Sequence, residues 1–466
     1  MKTKQIYYIA ALAMLTACTN NEEYETVTNN GLQKVTFADP FVGKNLTRAS
    51  GDIDNETLKS FKIRVWGQEV DKPDNGTLSE TNAKPFTNSK EEAPFYNGYN
   101  IEYSSGWVPV EGKEYYYPRD KYNFRFAAFA PVEAIYTESN TSGVNLAIKA
   151  DGSLTFRGEN DNSYGITNIP LVQEISNETD KKGWDLLVSN RFLSTPSTNG
   201  VDNRTDITFT FQHILSKLSF YVYASQTDGK KFYVKNIKAY LPKDNWTGSY
   251  KQNNKTAKPT AESKTDETTN AKTWNSTYHD TWAWVKKSDT SPDFANIDNI
   301  VTPSEFENQI VAPAQSAATN PNSYSEYKVF ESSNTKGSQV TLTAFNSKPT
   351  EGTSDNITCK SYFLAPTPAA EGTDGVKKYN FYVKIEYTVE ETTGENTSTT
   401  KDYTGYLDLS KSDFKRFRQG WHHKVYIGLA HKTIRFISAE VSGWDGEHNE
   451  DMTVSREVDG WTSEQH

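Results

Sequence analysis

The sequence has little cysteine, methionine or histidine, and it has no apolar run long enough to cross a bilayer. Its 466 residues include 2 cysteines, 3 methionines and 7 histidines. The clearest apolar run lies near the N-terminus and covers about ten residues, whereas a membrane-spanning helix needs about 20. The composition therefore argues against a disulfide-stapled domain, a cysteine–histidine metal cluster and a transmembrane helix.

Catalytic motifs are also missing. The chain has no HExxH or CxxC spacing, no GxSxG elbow and no glycine-rich phosphate loop. His422 and His423 are neighbours, and neighbours on a strand point to opposite faces, so they cannot hold one ion. Carboxylate pairs such as Glu390-Glu391 lie in loop-like composition without the apolar surroundings that raise a pKa. We therefore expect no enzyme activity, no hydrolase site, no cofactor and no metal.

The charge balance is acidic, with 60 Asp and Glu against 50 Lys and Arg, a net charge of −10. Binding to nucleic acid requires a basic surface that neutralises phosphates, and no basic stripe occurs in this chain. We therefore expect no nucleic-acid partner, and the acidity is typical of solubility at a surface.

Aromatic residues are abundant, and they alternate with polar residues at the period of two that predicts β-strands. The chain has 27 Tyr, 23 Phe and 10 Trp. Alternation is clearest in the segments that begin at Val35, Phe61, Tyr379, Val425 and Ile437. No window has the periodicity, length and caps of a long helix. We predict an all-β fold built from two β-sandwich domains.

Two local features refine this prediction. The run FRFAAFAP at residues 124–131 follows residues 107–117, and Pro118 with Arg119-Asp120 marks a turn, which predicts a β-hairpin. Apolar residues at 207–211 and at 218–222 fall on opposite parities. We predict one strand with a bulge at His213, whose ring is satisfied by backbone groups in the core.

The N-terminus carries an export signal of the lipoprotein type. Lys2 and Lys4 precede the apolar residues 6–15, and small residues precede Cys18. This order predicts a signal peptide at residues 1–17 and an acylated Cys18 that serves as a lipid anchor in the outer membrane. The alternative is an unmodified, buried cysteine behind an ordinary signal.

Two further predictions follow from this signal. Residues 20–23, Asn-Asn-Glu-Glu, resemble the acidic tags that send some lipoproteins to the outer leaflet, so we expect a surface-exposed lipoprotein of the cell outer membrane. Once Cys18 is acylated, Cys359 is the one remaining thiol. We predict that Cys359 is a small, buried, unreactive residue on a strand.

Polar stretches suggest where the domains begin and end. Residues 189–206 are polar and contain Pro196 and Gly200, and residues 251–276 consist mainly of Lys, Thr, Asn, Ser and Ala. The predicted division is a signal peptide at 1–17, a lipidated propeptide with the first strand at 18–48, an N-terminal β-sandwich at 49–203, a C-terminal β-sandwich at 204–446 with a polar insertion near 249–281, and a polar tail at 447–466.

A set of motifs in a fixed order resembles a known family. The motifs are the lipoprotein signal, VTF at 35–37, TRAS at 47–50, YYYP at 115–118, FRFAAFAP, FQHILSKLSF at 211–220, YFLAP at 362–366 and FISAEVSGW at 436–444. Together they resemble the fimbrillin family of fimbrial subunits, the type V pilins. Each motif is a loose strand pattern, and their order carries the resemblance, which covers residues 18–444. The polar insertion and the residues after Trp444 depart from it.

The resemblance implies transthyretin-like topology in both sandwiches, delivery to the outer surface as a lipoprotein, and polymerisation into a fimbrium for cell adhesion. It also implies cleavage after an arginine by a trypsin-like or gingipain-like protease, at the position of Arg48 and Ala49. Expected partners are other pilin subunits, an arginine-specific protease and a host or microbial surface ligand of unknown identity. The alternative for Arg48 is an ordinary exposed arginine in a Thr, Ala and Ser loop.

Cleavage after Arg48 would free the first strand, which we place around Leu32, Val35 and Phe37. The groove left behind would need a replacement strand, which in the family comes from the C-terminal segment of a neighbouring subunit. The candidate donor here is the tail segment with Met452 and Val454 on one face. The alternative is a solvated tail without a partner, as in a subunit that ends a fibre.

A second function fits part of the sequence. Exposed aromatic residues stack on sugar rings, and alternation places Trp282 and Trp284 on one face of a strand. The alternative function is therefore a cell-surface glycan-binding lipoprotein of a polysaccharide-uptake system, in which these two residues contact the glycan. Ordinary core packing of both indoles is the competing interpretation. The TRAS site favours the fimbrial subunit, because a glycan binder has no use for it.

Overall fold

The alternation of apolar and polar residues becomes strands wherever the structure describes the chain. The structure is a computed structural model, and it describes residues 33–42, 52–70, 83–85, 98–117, 123–135, 145–146, 165–175, 183–189, 192–194, 204–224, 229–242, 246–251, 281–286, 324–340, 357–366, 382–394, 397–408, 417, 419–430, 433–443, 452–454, 458–459 and 461–464. Within these residues the α-helix is limited to one turn, and the prediction of an all-β fold is confirmed.

The elements are short and numerous. In chain order they are β1 Phe41–Val42, α1 Asn55–Leu58, β2 Ile63–Val70, β3 Ala83–Pro85, β4 Tyr99–Tyr103, β5 Trp107–Pro109, β6 Asn123–Ala130, β7 Asn145–Leu146, β8 Gly165–Pro170, β9 Val172–Glu174, β10 Leu187–Ser189, β11 Phe192–Ser194, β12 Thr210–His213, β13 Ser216–Ala224, β14 Lys230–Pro242, β15 Trp246–Lys251, β16 Thr281–Lys286, β17 Tyr324–Glu331, β18 Ser338–Gln339, β19 Tyr362–Leu364, β20 Tyr382–Thr392, β21 Ser398–Asp408, β22 Trp421–Ala430, β23 Thr433–Gly443, β24 Met452–Val454, β25 Val458–Asp459 and β26 Trp461–Glu464. Single 3-10 turns cover Val110–Gly112 and Val132–Ala134.

The described strands form four sheets. A nine-stranded sheet has the order β1-β12-β10-β6-β2-β4-β5, with β11 beside β6 and β3 beside β2. A seven-stranded sheet has the order β24-β23-β22-β13-β19-β9, with β25 beside β23. A six-stranded sheet has the order β17-β14-β20-β21-β26, with β18 beside β14, and a four-stranded sheet has the order β16-β15-β8-β7. Transthyretin-like topology within each half of the chain stays a prediction.

Strand β6 of the nine-stranded sheet is buried on both faces. Phe124, Phe126 and Ala128 of β6 lie in a first core, together with Val35, Ile63 and Phe211. Ala127 and Phe129 of the same strand lie in a second core, together with Leu218, Trp284 and Tyr387. A strand covered on both faces reads as a continuous apolar run, which explains the sequence FRFAAFAP.

The predicted hairpin at residues 107–131 is wrong. β5 pairs with β4, whereas β6 pairs with β2 on one side and with β10 and β11 on the other. The segment around Tyr116 instead bridges to Lys34 near the N-terminus. β6 lies in the middle of the nine-stranded sheet, and its neighbours there come from distant parts of the chain.

The predicted bulge at His213 is wrong as well. β12 belongs to the nine-stranded sheet and β13 to the seven-stranded sheet, so the chain changes sheets between them. Phe209 and Phe211 face the first core, whereas Leu218 and Phe220 face the second. The parity changes because the apolar residues on either side of His213 belong to different cores.

Strands cross the predicted domain boundary at residue 204 in both directions. β12 lies after that boundary but pairs with β1 and β10 of the nine-stranded sheet. β8 and β9 lie before it but pair with β15 and β19, respectively. The change of sheet along the chain falls at residues 214–215, after β12.

Cys359 partly departs from its prediction. It precedes β19 rather than lying on a strand, and it is half-buried against the second core. Burial raises the pKa of the Cys359 thiol to about 12. The thiol therefore stays protonated at neutral pH, which agrees with the expected lack of reactivity.

Candidate functional site

The segment at residues 33–42 is held by backbone hydrogen bonds on both sides. On one side, the Val35 N–H donates to the Tyr115 carbonyl at 2.7 Å, and the Tyr117 N–H donates to the Gln33 carbonyl at 2.8 Å. On the other side, the Ile207 N–H donates to the Thr36 carbonyl at 2.9 Å. Residues 33–38 therefore have hydrogen-bonded neighbours on both sides, whereas β1 at residues 41–42 lies at the end of the nine-stranded sheet.

The far end of the segment continues this pairing. The Ala38 N–H donates to the Ile207 carbonyl at 3.0 Å, and the Phe41 N–H donates to the Phe209 carbonyl at 2.8 Å. β1 then runs parallel to β12, with Phe41 opposite Thr210 and Val42 opposite Phe211. We call the space that residues 33–42 fill, between residues 115–117 and residues 207–211, the N-terminal groove.

Apolar side chains of the segment complete the first core. Val35 and Val42 are each 2% exposed. Phe37 is half-buried and stacks on Phe209 with 6.3 Å between ring centroids. Val35 and Phe37 therefore lie where the alternation predicted, whereas Leu32 lies outside the described residues.

Gln33 makes a contact that the sequence did not reveal. Its side-chain nitrogen donates to the Arg204 carbonyl at 2.7 Å, and the Arg204 N–H donates to its side-chain oxygen at 2.7 Å. Both residues are buried. The carboxamide thus pairs with the Arg204 backbone as a peptide group of a neighbouring strand would.

Arg204 is itself fixed from the other side. Its guanidinium lies 4.5 Å from the ring centroid of Tyr117 and 5.1 Å from that of Phe124. It also donates to the Ser194 carbonyl at 3.1 Å. Cation–π contacts of this kind hold the side chain in place independently of Gln33.

A buried charged cluster holds the chain immediately after the predicted processing site. The Lys217 ammonium contacts the Asp52 carboxylate at 2.6 Å, and these side chains are 1% and 4% exposed. The Ile53 N–H donates to Asp185 Oδ2 at 2.9 Å, and His213 Nδ1 lies 2.9 Å from Asp185. His213 is therefore held by a carboxylate, not by backbone groups as predicted.

Burial dominates the electrostatics of this cluster. It raises the pKa of Asp52 to about 6, against the opposing attraction of Lys217. Nearby His422 accepts or donates a hydrogen bond at 2.9 Å with Ser219, and burial lowers the pKa of His422 well below its ordinary value. Residues 33–42 and 52–53 are thus both fixed, on either side of residues 43–51.

The other predicted site residues are distributed as follows. Cys18, Arg48 and Ala49 lie outside the described residues, so lipidation and processing stay predictions. Met452 and Val454 lie on β24, which pairs with Val441 and Ala439 of β23 in the same chain. The tail therefore pairs with its own chain here, and β26 also pairs with β21.

Trp282 and Trp284 lie on β16 and are buried, at 7% and 2% exposed. The Trp282 indole N–H donates to Gln419 Oε1 at 3.1 Å, and that of Trp284 donates to the Pro366 carbonyl at 3.0 Å. Neither residue offers a ring face at the surface. Core packing, rather than sugar stacking, is what the structure shows for both indoles.

The described residues contain no group of three or more His, Cys, Asp or Glu side chains that could hold a metal ion. His422 and His423 lie side by side on β22 and contact different neighbours, Ser219 and the ring of Phe417 respectively. Among the same described residues, no helix is long and apolar enough to cross a membrane.

The chain is similar to solved structures of fimbrial proteins. One is a fimbrial protein from Bacteroides vulgatus, with 14% identity, a TM-score of 0.44 and coverage of 88% of this chain and 99% of that one. Another is a fimbrial assembly protein from Parabacteroides distasonis, with 11% identity, a TM-score of 0.30 and coverage of 90% and 100%. No family model and no curated protein matches the chain.

Proposed function

We propose that this protein is a structural subunit of a fimbrium, without enzymatic activity, that serves cell adhesion. In this proposal it is exported as an outer-membrane lipoprotein anchored through Cys18 and is cut between Arg48 and Ala49 by an arginine-specific protease. It then assembles with other pilin subunits by strand exchange. A subunit that is never cut stays attached to the membrane through its lipid.

The observation that carries the proposal is the position of residues 33–42. Residues 33–38 have hydrogen-bonded neighbours on both sides, and Val35 and Val42 are buried in the first core. The segment joins the rest of the chain through residues 43–51, which include Arg48. A single cut in that connection would leave the strand attached by non-covalent contacts alone. A protein without strand exchange has no need for a protease site at this point.

The energetics favour a replacement strand. Each fully buried large apolar side chain contributes about 1.5–3 kcal/mol, so losing Val35, Val42 and part of Phe37 costs several kcal/mol. A typical domain is stable by about 5–15 kcal/mol. The empty groove would also leave backbone groups at Tyr115, Tyr117 and Ile207 without their present partners. Addition of a strand restores both contributions.

The contacts of Asp52 and Ile53 support the same mechanism. Lys217 and Asp185 hold these residues in the buried cluster, four and five positions after Arg48. The chain that follows the cut would therefore stay in place while the preceding strand leaves. Met452 and Val454 are the proposed donor toward a neighbouring subunit, which requires β24 to leave β23.

The test is limited digestion of the full chain with an arginine-specific protease, followed by electrophoresis and electron microscopy. We expect a cut after Arg48, and ladders or filaments when the cut chain is mixed with other pilin subunits. Arg48→Gln should abolish both, whereas Arg119→Gln, in another polar stretch of the sequence, should change neither. A chain that is cut after Arg48 and stays monomeric under all conditions would contradict assembly, and resistance at Arg48 would contradict processing.

The glycan-binding alternative gains no support from the described residues. Its two candidate contacts, Trp282 and Trp284, are buried and hydrogen-bonded within the protein.

A further inference from the structure

The pairing between Gln33 and Arg204 gives the N-terminal groove a chemical preference. Two hydrogen bonds of 2.7 Å join the carboxamide to the N–H and carbonyl of one residue, and both partners are buried. A buried backbone group that loses its partner destabilises the protein more than a typical hydrogen bond stabilises it. Whatever replaces Gln33 must therefore satisfy a donor and an acceptor at once.

A carboxamide is the side chain that meets this requirement without a charge. It carries an N–H donor and an oxygen acceptor on one planar group. A hydrocarbon side chain leaves both Arg204 groups unpaired, and a carboxylate accepts from the N–H but faces the carbonyl with a second acceptor. Sites built around such buried pairs discriminate strongly against analogues that lack one partner.

Carboxylates lie beside Lys34 and Thr36, the positions that alternate with Gln33, Val35 and Phe37. The Lys34 ammonium contacts Glu114 at 2.7 Å, and the Thr36 hydroxyl donates to Asp206. These walls favour a base or a hydroxyl on the entering strand, and they disfavour an acid. Together with Val35 and Phe37, the groove therefore fits the order carboxamide, base, aliphatic, hydroxyl, aromatic.

The tail of this chain does not have that order. Within residues 447–466 the carboxamides are Asn449 and Gln465, and Glu450 and Asp451 follow Asn449. In the register of residues 33–37, these acids would stand beside Glu114 and in the apolar position of Val35. The same residues hold six acids and one arginine: Glu447, Glu450, Asp451, Glu457, Asp459, Glu464 and Arg456.

We propose that the N-terminal groove, once emptied, selects a strand from a different subunit that carries the order Gln or Asn, base, aliphatic, hydroxyl, aromatic. This rests on the proposed strand exchange and specifies its partner. The tail of a second copy of this chain fits poorly, because placing Asn449 at the position of Gln33 puts Glu450 beside Glu114 and Asp451 in the apolar position of Val35. The protein thus takes its place in a fibre next to a subunit of another kind.

The test uses the full folded chain, in which residues 45–50 are replaced by the recognition sequence of a site-specific protease. After the cut, the bound N-terminal fragment is exchanged against fluorescent peptides, and binding is followed by anisotropy. A peptide of residues 32–42 should bind. The same peptide with Gln33→Leu should bind about 30-fold more weakly, which corresponds to about 2 kcal/mol.

Two further peptides sharpen the result. Asp39→Asn changes an exposed residue of the same segment and should leave the affinity unchanged. A peptide of residues 449–459, of equal length, should not compete. Equal binding of the Gln33→Leu peptide, or tight binding of the 449–459 peptide, would overturn the inference and leave strand exchange intact. Failure of the unaltered 32–42 peptide to bind would instead overturn strand exchange itself.

Discussion

At the scale of single residues, the contacts of Asp52 and Lys217 show how much depends on one buried pair. The ammonium lies 2.6 Å from the carboxylate, and both side chains are almost fully buried. An ion pair of this kind is weak evidence for net stabilisation, because both charges lose their hydration. Removal of one partner is strongly destabilising, since it leaves an uncompensated charge in the interior.

Lys217→Met should therefore lower the free energy of unfolding by about 3–5 kcal/mol at pH 7.5, measured by urea denaturation. The double variant Asp52→Asn, Lys217→Met should recover most of this loss, because no charge stays unpaired. Lys328→Met removes an exposed partner of Glu331 and should leave the unfolding midpoint nearly unchanged. If the double variant were as unstable as the single one, the loss would lie in packing rather than in charge.

The same variant should respond to pH in a defined direction. Burial raises the pKa of Asp52 from 3.8 to about 6, so the cost of its charge is present above that pH. As the pH falls through about 6 toward 3.8, the folded protein takes up a proton that the unfolded chain does not, which favours folding. The loss of unfolding free energy in Lys217→Met should therefore shrink as the pH falls. Because Lys217 lowers the pKa of Asp52, its removal should raise that pKa further, and the loss should begin to shrink at a pH above about 6.

At the scale of elements, residues 33–42 pair with their neighbours as a strand does, although only β1 at the end of this segment is a regular β-strand. Val35 is 2% exposed and its N–H bonds to Tyr115. Val35→Ala should lower the free energy of unfolding of the uncut chain by about 2 kcal/mol, because it leaves a cavity in the first core. After a cut near Arg48, the N-terminal fragment should also dissociate faster.

The matched control for Val35→Ala is Asp39→Ala, at an exposed position of the same segment. It should change neither the unfolding free energy nor the dissociation rate appreciably. Equal effects of the two substitutions would mean that residues 33–42 contribute no specific packing.

Strand positions were predictable from sequence where one face is buried, and strand partners were not. The part of the alternation from Val383 to Val389 lies in β20, and the alternation at 425–429 lies in β22. The hairpin prediction for β6 was wrong because the sequence of a strand buried on both faces does not indicate which strands pair with it. The parity change at His213 was real, but a period of two cannot distinguish a bulge from a change of sheet.

The N-terminal groove was predictable in part, because burial of one face of a strand leaves an alternating apolar pattern in the sequence. Val35 and Phe37 stood out because burial of apolar residues leaves a local pattern. The partners of Gln33 and Asp52 lie 171 and 165 residues away along the chain, and no local pattern records such distances. Lys217 offered the one available signal, since it is a lone charge inside the apolar stretch at 214–222.

At the scale of the whole molecule, the tail covers two sheets. β24 and β25 pair with β23, and β26 pairs with β21, so one segment covers an edge of the seven-stranded sheet and an edge of the six-stranded sheet. An uncovered edge of eleven residues offers unpaired backbone groups to other chains.

A chain that stops after residue 446 should therefore associate at concentrations where the full chain is monomeric, as measured by light scattering. The control is a full-length chain with Glu447→Gln and Glu450→Gln, which alters charge and keeps the strands. A truncated chain that stays monomeric would mean that the edges of β21 and β23 need no cover.

The distance of Gln33 from its partner along the chain has a consequence for biosynthesis. Residues 33–42 leave the ribosome first, and the backbone of Arg204 that they need follows 171 residues later. Closing so long a loop is entropically expensive and cannot precede the synthesis of residues 204–211. Within the nine-stranded sheet, whose strands all lie at or before His213, the first segment of the sequence is thus among the last to be seated.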